Sequence, residues 1–298
     1  MFDNYPHVAG QFYGTPWLIT ASKFDELESV LVARIKSGVG AFDDGPCADR
    51  PKKRDIREVR GDIGVIQVRG TITPRPSLFS SGGTSCAEIG EALDEMVANP
   101  DVAAIVMDFD TPGGQVFGVE ELGMKIAAAK KVKSVHGCIS HMACSAGMWL
   151  ISQCASISAA PNAWTASIGV LMRHLSTAKS DERMGISYTT VTAGRRKAEA
   201  DSSIPLGEEA RKHYQDQCDA LYEKFVSAVA AGRGVSKDKV RSAEWGEGAV
   251  VLAEEAVKVG MVDRIATMDE VLAQLRGKEM DKRKRKLMMA EAKAATAL

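Results

Sequence analysis

From Ser85 onward the chain alternates between apolar strand-like runs and helical stretches with one apolar face, and that alternation restricts what it can fold into. Ala103 to Phe109 contains almost no polar residue, as a strand covered on both faces requires. Before it, Ser85 to Ala98 carries Ile89, Leu93 and Met96 at helical spacing. After it come a helix over Val119 to Lys130, a strand over Ser134 to Ile139, a helix over Ser145 to Cys154 and a short strand over Ser156 to Ala159. Strand–helix–strand repetition of this kind predicts an α/β domain with a largely parallel sheet.

The flanks read less regularly. Pro16 to Ile19 is expected to form a short strand, and Lys23 to Lys36 an amphipathic helix with Phe24, Leu27, Val30, Leu31 and Ile35 on one face. Ser37 to Arg60 has a linker's composition, Ile63 to Val68 begins the core as a strand, and Thr71 to Gly83 is a loop. Ser167 to Leu171 and Tyr188 to Thr192 are expected strands, and Ser176 to Met184 a helix closed by Gly185. Glu208 to Ala231 is a long helix, with shorter ones at Lys237 to Ser242 and Ala253 to Val259. The expected division is an N-terminal extension and linker (1–60), a catalytic-type domain (61–275) and a charged helical or disordered tail (276–298).

A net charge of −1 over 298 residues gives no general attraction to nucleic acid or to an anionic membrane. The first twenty residues lack a continuous apolar run, so neither a signal peptide nor a membrane span is expected. The six cysteines form no C-x-x-C pair and read as reduced cytosolic thiols. The five histidines are scattered, which argues against a metal site.

Candidate chemistry centres on Ser145, in the run His141 to Leu150 just after a strand. Ala143, Ala146 and Gly147 let the chain turn sharply and a substrate backbone come close. The start of a helix also offers free N–H groups to an oxyanion. Gly113 and Gly114, directly after the apolar strand, offer further backbone donors. Lys197, in Ala193-Gly194-Arg195-Arg196-Lys197, is a candidate base if burial or the adjacent arginines keep its amine neutral. The residues alone leave alternatives open. Ser145 also suits a packed helix start, Gly113-Gly114 a tight turn, and Lys197 a surface loop. Cys144 is a rival nucleophile, expected to pack beneath the cleft. His174 is a rival base, also readable as a surface or interface histidine, and His141 is too close in sequence to reach Ser145 easily.

Four short motifs carry a resemblance. Asp110-Thr111-Pro112-Gly113-Gly114 resembles the D-S-P-G-G signature of the ClpP/crotonase superfamily. Cys144-Ser145-Ala146-Gly147-Met148 resembles the A-S-[GA]-[GA]-Y nucleophile motif of the signal peptide peptidase A (SppA, protease IV) family. Ala166-Ser167-Ile168-Gly169-Val170 is similar to that family's G-S-I-G-V, and Thr192 to Lys197 to its x-x-G-x-x-K. Order and spacing agree across about residues 61–275. Pro6 to Gly10, Phe12 to Trp17, Pro205-Leu206-Gly207 and Asp219 to Val226 are similar to the tailed-phage branch, the capsid-assembly or prohead proteases.

The resemblance implies a ClpP/crotonase-like spiral of βαβ units and a serine endopeptidase with a Ser-Lys dyad. Ser145 would be the nucleophile, Lys197 the base, and Ser167 the residue that holds the lysine amine. Gly113, Gly114 and Ala146 would form the oxyanion hole. Thr111, Cys144 and Met148 depart from the family's usual residues and would change the pocket's shape, not the mechanism. No cofactor and no metal are implied. Implied substrates are scaffold, portal or capsid proteins and the chain itself, cut inside a procapsid in the host cytoplasm by a homo-oligomer, without nucleic acid or membrane as partners. The serine and lysine are expected to come from one chain. Two other outcomes remain: a cytosolic peptide-degrading protease of the same mechanism, and a catalytically silent assembly or scaffold protein on the same fold.

Overall fold

The computed structural model describes residues 12–37, 55–76 and 82–277, together with Met288. Most of the expected linker (38–54), part of the loop before Ser85 (77–81) and nearly all of the charged tail lie outside the described residues.

A mostly parallel sheet forms the centre. β2 (Arg57–Arg60), β3 (Ile63–Arg69), β4 (Ala104–Thr111), β6 (Ser134–Cys144), β7 (Ser156–Ala159) and β10 (Arg264–Ile265) lie side by side. Every neighbouring pair in that row is parallel except β2 with β3. The helices of the crossovers are α2 (Cys86–Ala98), α3 (Val119–Ala129) and α4 (Ala146–Ser152).

The near-continuous apolarity of β3 and β4 has its reason in two separate cores. Ile66, Val68, Ile105, Met107 and Phe109 face α2, α3 and α4 in the main cluster. The intervening Ile63, Val65 and Val106, with Cys138, face Val271, Leu272 and Leu275 of the helix at 268–277. Alternation within a strand thus feeds both layers. α2 starts where the sequence signals it. Ser85 accepts from the Glu88 amide at 3.2 Å, and Glu88 accepts from the Ser85 amide at 3.1 Å, a capping box.

Four expectations need correction. β6 is longer than Ser134 to Ile139. Past Ile139 it leaves β7, shifts register against β4 and pairs through Met142 to Cys144 with β8 (Trp164–Ala166), itself antiparallel to β9 (Val250–Leu252). The polar residues Ser140 and His141 hide this extension from an apolarity reading. Ser167 to Leu171 is not a strand; only Leu171 makes a bridge, to Trp17. Tyr188 to Thr192 is not a strand: it has no strand partner among the described residues and is exposed, so its β-type composition is not matched by a sheet edge there. Residues 57–60, expected within a linker, pair with β3 instead.

The N-terminal residues pack on this body as a second small layer. β1 (Trp17–Ile19) pairs antiparallel with β5 (Gly113–Gln115), and α1 (Ala21–Ser37) follows it. Phe12, Trp17, Ile19, Phe24 and Leu31 form their own buried cluster. Further along the chain come α5 (Ala178–Arg183), α6 (Glu208–Arg233), α7 (Lys237–Arg241) and α8 (Ala253–Lys258), followed by α9 at 268–277. The helix expected at Ser176 to Met184 is present as α5, with Gly185 at φ 71° ending it.

Candidate active site

β6 ends at Cys144 and α4 begins at Ala146, so Ser145 alone makes the strand-to-helix turn. Its backbone takes φ 52°, ψ −113°, a conformation L residues rarely adopt. Two hydrogen bonds hold it: its N–H donates to Ala166 carbonyl at 2.8 Å, and its carbonyl accepts from Trp149 N–H at 3.0 Å. The turn is possible because its neighbours are small. A Cβ on Gly147 would stand 2.6 Å from Thr111 Cγ2, and one on Gly113 would stand 2.9 Å from Ser145 Cβ. Ser145 is fully buried, and its Oγ has no hydrogen-bond partner among the described residues. A buried hydroxyl without a partner is costly, so its presence at this turn marks Ser145 as a candidate functional group.

α4 is fixed from behind. Trp149 stacks on Phe225 of α6 with ring centroids 5.0 Å apart, and Gly232 of α6 lets Ser152 approach so closely that a Cβ would overlap its carbonyl. Ser145 thus sits on a helix wedged between sheet and α6.

The other expected site residues divide. Ser167 is brought close through the backbone: it follows Ala166, whose carbonyl receives the Ser145 amide, and it too has positive φ, 52°. Its own amide donates to Ala249 carbonyl at 2.8 Å. It lines a cavity of about 410 Å³ shared with Ile19, Leu171, Asp219 and Tyr222. Gly113 and Gly114 lie across from Ser145. Gly113 N–H is taken by Thr111 Oγ1 at 3.1 Å, so of the two glycines Gly114 has the amide suited to an oxyanion. Thr111 in turn donates to Gly70 carbonyl at 2.6 Å, which fixes the turn. Ala146 N–H belongs to the first turn of α4, whose amides have no acceptor within the helix.

Lys197 makes no hydrogen bond to Ser145 Oγ. It is exposed on an irregular segment, while Ser145 is sealed. Arg195 and Arg196, adjacent to it, are ion-paired with Glu209 at the start of α6, and Arg196 also reaches Glu199 at 3.4 Å. The rival residues are placed as well. Cys144 is buried against β8, and burial pushes its thiol up to about 12, far from a thiolate at neutral pH. His174 donates from Nε2 to Ile204 carbonyl at 3.3 Å, and His141 lies 3.4 Å from Asp110 with most of its side chain exposed. Neither histidine touches Ser145 Oγ. Among the described residues no group of three or more His, Cys, Asp or Glu side chains is placed to hold a metal ion, and no helix is long and apolar enough to cross a membrane.

The sequence reading did not anticipate the parts played by Ala166 and Thr111. The one fixes the serine turn through its carbonyl, and the other occupies the Gly113 amide. Their only sequence signal is position beside a motif residue.

The chain is similar in sequence to known phage proteins and proteases. The chain is 26% identical to the capsid assembly protease C of Escherichia phage lambda, over 95% of this chain and 68% of that protein. It is 29% identical to the head-tail preconnector protein GP5 of Enterobacteria phage P21, over 74% of this chain but only 44% of that one. Against protease 4 of Haemophilus influenzae the identity is 28%, over 80% of this chain and 38% of the relative. The chain therefore spans less than half the length of two of these relatives. The model of peptidase family S49 matches residues 127–281, which include Ser145, Ser167 and Lys197. With its mixed α/β fold and mostly parallel central sheet, the chain belongs to peptidase family S49.

Proposed function

We propose that the chain is a serine endopeptidase acting in phage capsid assembly, with Ser145 as nucleophile and Lys197 as general base. The observation that carries the reading is Ser145 itself: a buried hydroxyl without a hydrogen-bond partner, held at φ 52° on a strand-to-helix turn opposite two glycines. In the reaction Lys197 takes the Ser145 proton as Oγ attacks the substrate carbonyl. Gly114 and Ala146 amides stabilise the oxyanion, the protonated lysine gives its proton to the leaving amine, and water then hydrolyses the acyl-enzyme. Ser167 orients the amine. Cys144, with its raised thiol pKa, stays protonated and packed.

Lys197 is exposed and Ser145 buried, so the reading places the lysine of one chain at the serine of a neighbouring copy. A closed ring of such copies confines cleavage to its interior. Scaffold, portal and capsid proteins are the substrates proposed, by likeness to the phage lambda and P21 proteins.

Labelling of the purified protein with a fluorophosphonate tests the assignment. Wild type and Cys144→Ala are expected to label at residue 145, whereas Ser145→Ala loses both labelling and peptide cleavage. Full activity in Ser145→Ala together with loss in Cys144→Ala would transfer the role to the cysteine.

A further inference from the structure

The path across Ser145 is already filled by the chain itself. β1 lies antiparallel to β5, with Trp17 opposite Gln115, Leu18 opposite Gly114 and Ile19 opposite Gly113. On its other edge Trp17 N–H donates to Leu171 carbonyl at 2.9 Å, and Leu171 N–H returns the bond at 3.0 Å. Gly14 N–H continues that edge to Arg173 carbonyl at 2.9 Å, and Thr20 N–H closes the far end on Pro112 carbonyl at 3.0 Å. β1 and the residues flanking it are thus clamped on both sides, between the strand that holds the two glycines and the segment after Ser167.

The register matters. Trp17 spends both backbone groups on Leu171, and Gly113 carbonyl and Gln115 N–H are spent on Ile72. Because successive residues of a strand aim at opposite edges, Leu18 and Gly114 are left facing one another. The carbonyl of Leu18 therefore lies where the Gly114 amide points. A Cβ placed on Gly113 would overlap that carbonyl oxygen while standing 2.9 Å from Ser145 Cβ and 3.0 Å from Ile19 Cα. The Leu18–Ile19 peptide bond accordingly lies beside the serine. Leu18 is buried in the main core, and Trp17 and Ile19 are buried with Phe12, Phe24 and Leu31.

We infer that β1 is a tethered peptide occupying the acyl-side substrate tract, with Leu18 in the position of the residue whose carbonyl is attacked, and that it masks Ser145 until it withdraws. The inference rests on the reading of Ser145 as nucleophile and adds two things to it. In the isolated chain Ser145 reacts only through the fraction of molecules with β1 withdrawn, so labelling and cleavage are slow rather than absent. The chain's substrates enter as extended strands antiparallel to β5, offering a leucine-sized apolar side chain to the pocket that Leu18 fills. Docking is reinforced at a distance by Arg173, which pairs with Asp25 at 2.9 Å and with Glu28 and stacks 4.7 Å from the Phe24 ring centroid.

The test reads coverage without needing turnover. In the full-length chain, Ser145→Cys in a Cys144→Ala background places a thiol under β1. Its alkylation by iodoacetamide is followed by mass spectrometry. Adding Trp17→Ala is expected to raise the rate at position 145 by about tenfold or more, in proportion to the fraction of chains with β1 withdrawn. Arg173→Ala, which removes only a surface clasp, is expected to raise it less; it carries the test if Trp17→Ala does not fold. Equal rates in the folded variants overturn the inference, whatever the peptidase assay shows. With Ser145 and Cys144 restored, the same two substitutions should speed cleavage of leucine-containing peptides. Faster alkylation without any cleavage would uphold the masking and overturn the peptidase reading instead.

Discussion

Ser145 is held in a conformation that costs on the order of 1–3 kcal/mol, and the surrounding bonds to Ala166 and Trp149 sustain it. Gly113 is its counterpart across the turn. At φ 105° an L side chain is strained in any case, and here a Cβ also meets Ser145 Cβ at 2.9 Å and the Leu18 carbonyl. Gly113→Ala is therefore expected to lose about 1–3 kcal/mol of stability and most fluorophosphonate labelling. Urea titration and a labelling time course check this. A variant as stable and as readily labelled as wild type would mean that the close approach is unimportant.

The elements that carry these residues are stabilised locally in ways separable from the chemistry. α2 begins with the capping box of Ser85 and Glu88. Ser85→Ala removes one acceptor for an orphan amide and should cost about 1 kcal/mol, read as a lower urea midpoint with an unchanged slope. Labelling at Ser145 should be unaffected, because α4 is braced by Phe225 and Gly232 of α6, not by the α2 terminus. Loss of labelling in a folded Ser85→Ala chain would show that the two elements are coupled.

Across the whole molecule, the end of the chain is tied to the sheet by Asp263. It accepts from Ile157 N–H at 2.7 Å and pairs with Arg233 at the end of α6. Burial by itself would raise the Asp263 pKa, but Arg233 and the Ile157 amide outweigh it and hold the carboxyl below its ordinary value. A depressed folded pKa contributes stability that is present above the unfolded value, about pH 4, and is lost as pH falls through the folded one. Asp263→Asn should therefore cost about 1 kcal/mol at neutral pH, a figure discounted for its partial exposure, and less in acid. Melting curves at both pH values check the convergence. Also at this scale is the proposed sharing of sites. Mixing inactive Ser145→Ala and Lys197→Ala chains should restore part of the activity. If no mixture recovers any, each subunit completes its own site.

The sequence by itself determined the alternation that makes β3, β4 and the start of β6 a parallel sheet, because strands buried on two faces leave a near-continuous apolar signal. It also determined the serine turn: only small residues permit so close an approach of Gly113, Gly147 and Ser145, and the smallness is visible in the letters. The far half of β6 was not legible, since Ser140 and His141 break the apolar run while the backbone continues to pair. Tertiary structure alone decided which amide of the glycine pair is spent on Thr111, that Arg195 and Arg196 answer Glu209, and that Lys197 is exposed while Ser145 is buried. It alone also laid β1 over Ser145. Pairing between residues about a hundred positions apart depends on which strand edges the finished fold leaves open, and no local pattern in Pro16 to Ile19 records that edge.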